Sequence, residues 1–129
     1  MKILVVDDDP AMRELLRVIL EPASFDVLVA ESGEQAILLT KEASPDIIIL
    51  DLMMPDMDGW HVCKAIREFS NLPILILSAL DSPGIVAETL NAGADDFLIK
   101  PVASSILLAH INKMVRRSNG EHLVKDLHG

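Results

Sequence analysis

The chain has 129 residues, half of them hydrophobic, and a formal net charge of −9. This length fits one domain, and the negative charge excludes direct contact with nucleic acid or an anionic membrane unless a local basic patch overrides it. No apolar run approaches the roughly 20 residues of a membrane span, and the first residues lack the features of a signal peptide. We therefore expect a soluble, cytoplasmic protein, and the single cysteine, Cys63, suits a reducing compartment.

Short apolar segments alternate along the chain with amphipathic ones. The predicted strands are 3–6, 26–30, 47–50, 74–77 and 97–99, and the predicted helices are 10–20, 34–41, 59–69, 83–91 and 104–117. Strands that are rich in isoleucine and valine on both faces are typical of a parallel sheet covered by helices. The alternation predicts a (βα)5 doubly wound α/β fold, in which ligands bind beyond the carboxyl ends of the strands.

Polar residues follow four of the predicted strands. Asp7 and Asp8 follow the first strand, Asp51 the third, Ser78 the fourth and Lys100 the fifth. Each residue alone has an ordinary explanation, such as a favourable charge at a helix N-terminus or a solvated lysine. Because the carboxyl ends of parallel strands meet at one edge of the sheet, the set predicts a single polar site there.

Three neighbouring carboxylates raise one another's pKa and destabilise the site unless a cation neutralises them. A cation is therefore expected, and the oxygen ligands on offer favour Mg²⁺ over Zn²⁺ because no paired cysteine or histidine is in position. A carboxylate such as Asp51 can act as a nucleophile that forms an acyl phosphate, and a metal and a lysine can neutralise the charge of the transferred group. The residues thus predict phosphoryl transfer onto Asp51.

Four motifs resemble the receiver domain of bacterial two-component response regulators. They are Ile3-Leu-Val-Val-Asp-Asp-Asp-Pro10, Asp51-Leu-Met-Met-Pro-Asp-Met-Asp-Gly59, Ser78-Ala79 and Gly93-Ala-Asp-Asp-Phe-Leu-Ile-Lys-Pro101, in the family's order and spacing. The resemblance covers about residues 1–117. It implies a flavodoxin-like sheet of strand order 2-1-3-4-5, and a signalling domain that promotes only its own phosphorylation and dephosphorylation.

The resemblance also implies an acceptor and a metal site. Asp51 would take a phosphoryl group from the phosphohistidine of a sensor histidine kinase. Asp7, Asp8, Asp51 and the backbone carbonyl of Met53 would hold Mg²⁺, directly or through water.

Further roles implied by the resemblance concern the response to phosphorylation. Lys100 would pair with the phosphoryl group, and Ser78 would donate a hydrogen bond to one of its oxygens. Phe97 stands at the position of the family's switch aromatic, and Pro101 at that of its cis proline. Together, Ser78 and Phe97 would alter the face formed by the fourth helix, fifth strand and fifth helix, through which a homodimer could form.

Two other functions match parts of the sequence. Asp56-Met-Asp-Gly59 is similar to the motif of a Mg²⁺-dependent phosphatase, but there the first aspartate directly ends a strand, whereas here Pro55 precedes it and the predicted strand ends at Leu50. A flavodoxin-like nucleotide or FMN binder shares the fold class. It would require a phosphate loop rich in glycine or hydroxyl groups, where this chain has three aspartates.

Two segments of the sequence bear on the output of the domain. The segments around 93–97 and 111–117 are similar to those of receivers that precede a winged-helix DNA-binding domain, so 118–129 is predicted to be a tail or linker. Regulation of transcription is then the expected output, with DNA contacted by another domain and not by this segment. Ile106 and His110 replace the glutamate and arginine usual in that subfamily's dimer. A stand-alone receiver that acts through protein contacts is the alternative.

Overall fold

A computed structural model describes the backbone of residues 1–55 and 57–128 and the side chains of residues 1–55 and 57–117. The strands are β1 (Lys2–Val6), β2 (Asp26–Ala30), β3 (Ile47–Leu50), β4 (Ile74–Ser78) and β5 (Asp96–Ile99). The helices are α1 (Pro10–Leu20), α2 (Gly33–Ala43), α3 (Gly59–Arg67), α4 (Pro83–Asn91) and α5 (Ser104–His128), with a 3-10 turn at Glu21–Ala23. Within this described part of the chain, no helix is long and apolar enough to cross a membrane.

The five strands form one parallel sheet in the order β2-β1-β3-β4-β5. This confirms the predicted fold class and strand order. In the register between β1 and β3, Val6 lies opposite Leu50, so the residues that follow them, Asp7 and Asp51, leave the sheet side by side. The topology therefore places the two carboxylates at the carboxyl edge.

The core lies on both faces of the sheet because successive side chains of a strand point to opposite sides. Ile48 and Leu50 pack with residues of α2 and α3 on one face. Ile47 and Ile49 pack with residues of α1 and α5 on the other. All four are at most 1% exposed, so β3 is buried on both faces, as its continuous apolar run predicts.

Side-chain caps fix the points at which the helices beside the sheet edge begin. The Asp9 carboxylate accepts a hydrogen bond from the Ala11 backbone N–H at 2.9 Å, and Pro10 occupies the first turn of α1. At the start of α3 the Asp58 carboxylate accepts one from the His61 backbone N–H at 3.1 Å. Such caps satisfy N–H groups that have no partner within the helix. They anchor the loops that follow β1 and β3.

The largest difference from the sequence-based prediction is the end of the last helix. α5 continues to His128, whereas the prediction ended it at Arg117. Ser118, Asn119 and Gly120 suggested a break, but even glycine costs a helix only about 1 kcal/mol relative to alanine, far less than proline. The division into a domain of 1–117 and a tail or linker of 118–129 stays a prediction.

Gly59, the first residue of α3, packs so closely against the loop after β3 that a side chain does not fit. A β-carbon there would lie 2.8 Å from the Leu52 α-carbon and 3.0 Å from the Asp51 carbonyl oxygen. We expect Gly59→Ala to lower the free energy of unfolding by about 1–3 kcal/mol, because backbone atoms must shift. Gly84→Ala is the matched control, since its β-carbon meets nothing nearer than 3.8 Å and alanine favours the helix. Urea denaturation of both variants tests this, and equal stabilities would contradict it.

Candidate functional site

Asp7 and Asp51 lie next to each other at the carboxyl edge of the sheet, and both are buried. Asp7 is 3% exposed and Asp51 is 7% exposed. Their backbones extend the strand ladder by one residue, because the Asp7 N–H donates to the Ala30 carbonyl and the Asp51 N–H donates to the Val6 carbonyl. The backbones that carry the two carboxylates are thus held by the sheet.

Lys100 follows β5 directly and brings a positive charge to these two carboxylates. Its Nζ lies 3.0 Å from Asp7 Oδ2 and 3.7 Å from Asp51 Oδ2. The backbone N–H of Lys100 donates to the Ser78 carbonyl at 2.8 Å, which ties the end of β5 to β4. The sequence placed Lys100 in the site but did not predict that its shorter contact is with Asp7.

A third carboxylate completes an acidic cluster. One carboxylate oxygen from each of Asp7, Asp8 and Asp51 lies within 4.8 Å of the others, and Asp8 is exposed while the other two are buried. The ammonium group of Lys100 contacts two of the three, so the carboxyl groups of the cluster outnumber the positive charge of this lysine. An all-oxygen donor set with excess negative charge fits a hard divalent cation such as Mg²⁺. The predicted metal-site side chains are therefore brought together.

The ionisation of Asp51 is disfavoured in the folded chain. Burial raises the pKa of this carboxyl group above its usual value of 3.8, and the nearby carboxylates of Asp7 and Asp8 raise it further. The Met53 backbone N–H, which donates to Asp51 Oδ1 at 3.2 Å, and the Lys100 ammonium act in the opposite direction. A bound cation would favour the charged form of the carboxyl group.

This shift predicts how stability depends on pH without metal. Between pH 3.8 and the raised pKa, the native state binds more protons at Asp51 than the unfolded state, so the carboxyl group's contribution to stability is lost as pH rises through that raised value. We expect Asp51→Asn to gain in stability relative to wild type as pH rises from below 3.8 to neutrality. Urea titrations in chelator at several pH values measure the difference. A difference that shrinks over this range would contradict the direction of the shift.

The other predicted site residues surround the cluster at different depths. Ser78 is the last residue of β4 rather than the first residue after it, is fully buried, and its hydroxyl accepts the Leu80 N–H at 3.3 Å. Phe97 is partly buried against the core on the α2 and α3 face of the sheet. The peptide bond between Lys100 and Pro101 is cis, the geometry that the resemblance implied. The roles expected of Ser78 and Phe97 concern the phosphorylated state of the protein.

Sequence reasoning missed Arg13, which braces the site from α1. Its guanidinium donates to the Asp7 backbone carbonyl at 2.8 Å and lies 3.8 Å from a Glu31 carboxylate oxygen. An arginine on an amphipathic helix is ordinarily solvated, so the local pattern gave no sign of this contact.

The described residues of the phosphatase-like motif, Met57 to Gly59, do not lie at the end of a strand. β3 ends at Leu50, and Asp58 caps the N-terminus of α3. The end of the motif therefore belongs to the turn that leads into this helix. Asp56 lies outside the described residues. Cys63 is buried in α3, and burial raises the pKa of its thiol, so it is held in the less nucleophilic thiol form.

Comparison with known proteins agrees with this arrangement. The family model described as the response regulator receiver domain matches residues 3–112. The chain therefore belongs to the response regulator receiver domains, which are signalling domains of two-component systems. This confirms the resemblance seen in the motifs.

The curated relatives include regulators that are longer than this chain. The DNA-binding response regulator MtrA of Mycolicibacterium smegmatis is 40% identical over 93% of this chain and 53% of its own length. The probable transcriptional regulator ycf27 of Guillardia theta is 40% identical over 92% of this chain and 46% of its own. The chain thus spans about half the length of these curated relatives.

Solved structures share most of the described fold. A two-component response regulator from Clostridium difficile has a TM-score of 0.90 and 34% identity, covering 92% of this chain and 98% of that one. The BeF3-activated N-terminal receiver domain of Klebsiella pneumoniae RstA has a TM-score of 0.87 and 33% identity, covering 90% and 99%. Vibrio cholerae chemotaxis protein CheY4 has a TM-score of 0.81 and 33% identity, covering 88% and 97%.

Proposed function

We propose that this domain accepts a phosphoryl group on Asp51 from a sensor histidine kinase in a Mg²⁺-dependent reaction. The observation that carries the proposal is the cluster of Asp7, Asp8 and Asp51 at the sheet edge with Lys100 in contact with two of its members. Family membership supports the donor, since receivers work with histidine kinases.

Asp51, Met53 and Lys100 each have a separate role in the phosphoryl transfer. An Asp51 carboxylate oxygen forms a bond to phosphorus while the bond from phosphorus to the donor nitrogen breaks, so the phosphoryl group becomes an acyl phosphate. The sheet holds Asp51 in place, and the Met53 N–H occupies Oδ1. The Lys100 ammonium, already 3.7 Å from Asp51 Oδ2, pairs with the transferred group. Proteins promote phosphoryl transfer mainly by positioning the reacting groups and by neutralising their charge.

Asp7, Asp8, Asp51 and the backbone carbonyl of Met53 would hold Mg²⁺. The ion, when bound, neutralises negative charge on the phosphoryl oxygens. The exposure of Asp8 leaves room for the waters that Mg²⁺ retains. Phosphorylation would add negative charge at Asp51. Lys100 would then exchange its contact with Asp7 for one with the phosphoryl group.

Removing the metal is expected to abolish the reaction. Acetyl phosphate with Mg²⁺ should add one phosphoryl group by intact mass, and EDTA should prevent it. Asp8→Asn should raise the Mg²⁺ concentration needed by at least about tenfold, because one charged ligand is lost. The only tryptophan, Trp60, offers a fluorescence readout of binding.

The neighbouring carboxylate provides the matched control for that experiment. Asp9 caps α1 by accepting the Ala11 N–H, and asparagine can replace it as a cap. Asp9→Asn should therefore keep the wild-type Mg²⁺ dependence. Phosphorylation that persists in EDTA, or equal effects of the two substitutions, would contradict the proposed metal site.

The output belongs to the same proposal. Phosphorylation would move Ser78 toward the new phosphate and turn Phe97 behind it, and so change the face formed by α4, β5 and α5. That face exposes the apolar side chains of Leu90, Ile99 and Ile106, which favours a homodimer. We infer control of transcription through a DNA-binding domain beyond this chain, because the curated relatives are named as DNA-binding or transcriptional regulators and are about twice as long. The location of such a regulator would be the cytoplasm.

A further inference from the structure

The loop after β3 holds three methionines that are packed very differently. Met54 is 8% exposed and belongs to the core cluster on the α2 and α3 face. Met57 is partly buried against the same cluster. Met53 is 57% exposed, and among the described residues only Val18 is a more exposed large hydrophobic side chain. Packing therefore explains Met54 and Met57 but leaves the side chain of Met53 unexplained.

Met53 is also the methionine attached most directly to the acceptor. Its backbone N–H donates to Asp51 Oδ1 at 3.2 Å. The α-carbon that carries the Met53 side chain is bonded to this nitrogen, so the side chain begins close to the reactive carboxylate. The flexible methionine side chain can reach the surroundings of that carboxylate from there. Met1, which is 44% exposed, precedes β1 at the opposite end of the sheet. Exposure and proximity to Asp51 thus coincide at Met53.

We propose that Met53 is a site of reversible oxidation by peroxides, and that its sulfoxide shortens the lifetime of the phosphoryl group on Asp51. In the oxidation the thioether sulfur attacks one peroxide oxygen, a sulfur–oxygen bond forms and the oxygen–oxygen bond breaks. The sulfur loses two electrons, and hydrogen peroxide is reduced to water. The product is a polar side chain whose oxygen accepts hydrogen bonds, in place of an apolar one.

The change matters because water must attack the acyl phosphate for the signal to end. In that step a water oxygen bonds to phosphorus, the bond from phosphorus to the Asp51 oxygen breaks, and the products are the Asp51 carboxylate, inorganic phosphate and a proton released to solvent. A thioether cannot orient the water by a strong hydrogen bond, whereas a sulfoxide oxygen can accept one from it. One hydrogen bond of ordinary strength corresponds to a rate increase of about threefold to tenfold.

This inference depends on the proposed function, and its test separates the two. The full chain is treated with hydrogen peroxide, and peptide mapping determines which methionines carry oxygen. Treated and untreated protein are then phosphorylated with acetyl phosphate and Mg²⁺, the donor is removed, and loss of the adduct is followed by intact mass. We expect Met53 to be oxidised before Met54 and Met57, and the adduct on treated protein to decay about threefold to tenfold faster.

Two variants isolate the side chain. Met53→Leu keeps an apolar group that peroxide cannot oxidise, so its adduct should decay at one rate before and after treatment. Met53→Gln carries an acceptor oxygen permanently, so its adduct should decay faster than that of Met53→Leu without any oxidant. Methionine sulfoxide reductase should return treated wild-type protein to its original rate.

Three results would overturn the inference. Decay that is unchanged in protein mapped as Met53 sulfoxide would show that the oxygen does not assist water. A peroxide response retained in Met53→Leu would assign the effect to another residue. Slower oxidation of Met53 than of Met54 would show that peroxide does not select the exposed methionine. Absence of any adduct on untreated protein would instead refute the proposed function, and this inference with it.

Discussion

Asp51→Asn is expected to prevent formation of the phosphoryl adduct altogether. Asparagine keeps the size of the side chain and can still accept the Met53 N–H, but its amide oxygen is not a nucleophile toward phosphorus. Intact mass after incubation with acetyl phosphate and Mg²⁺ should show one added phosphoryl group on wild type and none on the variant.

A second aspartate serves as the control for this loss. Asp58 lies close along the chain but caps α3, where asparagine is an equally good cap. Asp58→Asn should be phosphorylated to the wild-type extent. An adduct of normal yield on Asp51→Asn would place the acceptor elsewhere, whatever the behaviour of the control.

Arg67→Met is expected to cause a large loss of stability. The Arg67 guanidinium donates to the Gly93 carbonyl at 2.9 Å, to the Leu72 carbonyl at 2.7 Å and to Asp95 Oδ2 at 2.8 Å. Asp95 Oδ2 also accepts the Ile74 N–H at 2.8 Å. One side chain therefore joins the end of α3 to the loop that precedes β4 and to the loop that precedes β5.

Methionine keeps most of the apolar stem of Arg67 but none of its donors. Carbonyl groups and a carboxylate then lose their partners, which should cost about 3 kcal/mol and lower the melting temperature by about 10 °C. Arg17→Met is the control, since Arg17 pairs with Glu14 and Glu21 at the surface and should contribute less than about 1 kcal/mol. Thermal denaturation of both variants measures the difference. Equal losses of stability would contradict the role given to the hydrogen bonds of Arg67.

The sheet and most helices could be predicted because each has a strong local signal. β3 is a continuous apolar run that ends at an aspartate, and Pro10 after a capping aspartate marks the start of α1. The turn at Glu21–Ala23 was missed, because three residues are too few to show a period. The end of α5 was missed because polar residues and a glycine weaken a helix without stopping it.

The site was predictable as a set of residue types but not as a set of contacts. The position of Asp7, Asp51 and Lys100 after strands was enough to bring them to one edge, since the topology of a parallel sheet fixes it. The pairing of Lys100 with Asp7 depends on the reach of the lysine side chain past the ends of β4 and β3 and on the balance of charges, and sequence spacing shows neither. The contacts of Arg67 join residues up to 28 positions apart, beyond any local pattern.

The measurement that tests the central claim most directly is chemical location of the phosphoryl group. Borohydride reduces an aspartyl phosphate to homoserine, which peptide mass spectrometry distinguishes from aspartate. Wild-type protein that has been phosphorylated with Mg²⁺ present and then reduced should carry homoserine at position 51, and the EDTA-treated sample should carry aspartate there. Homoserine at Asp7, Asp8 or another aspartate, with position 51 unchanged, would contradict the assignment of Asp51 as the acceptor.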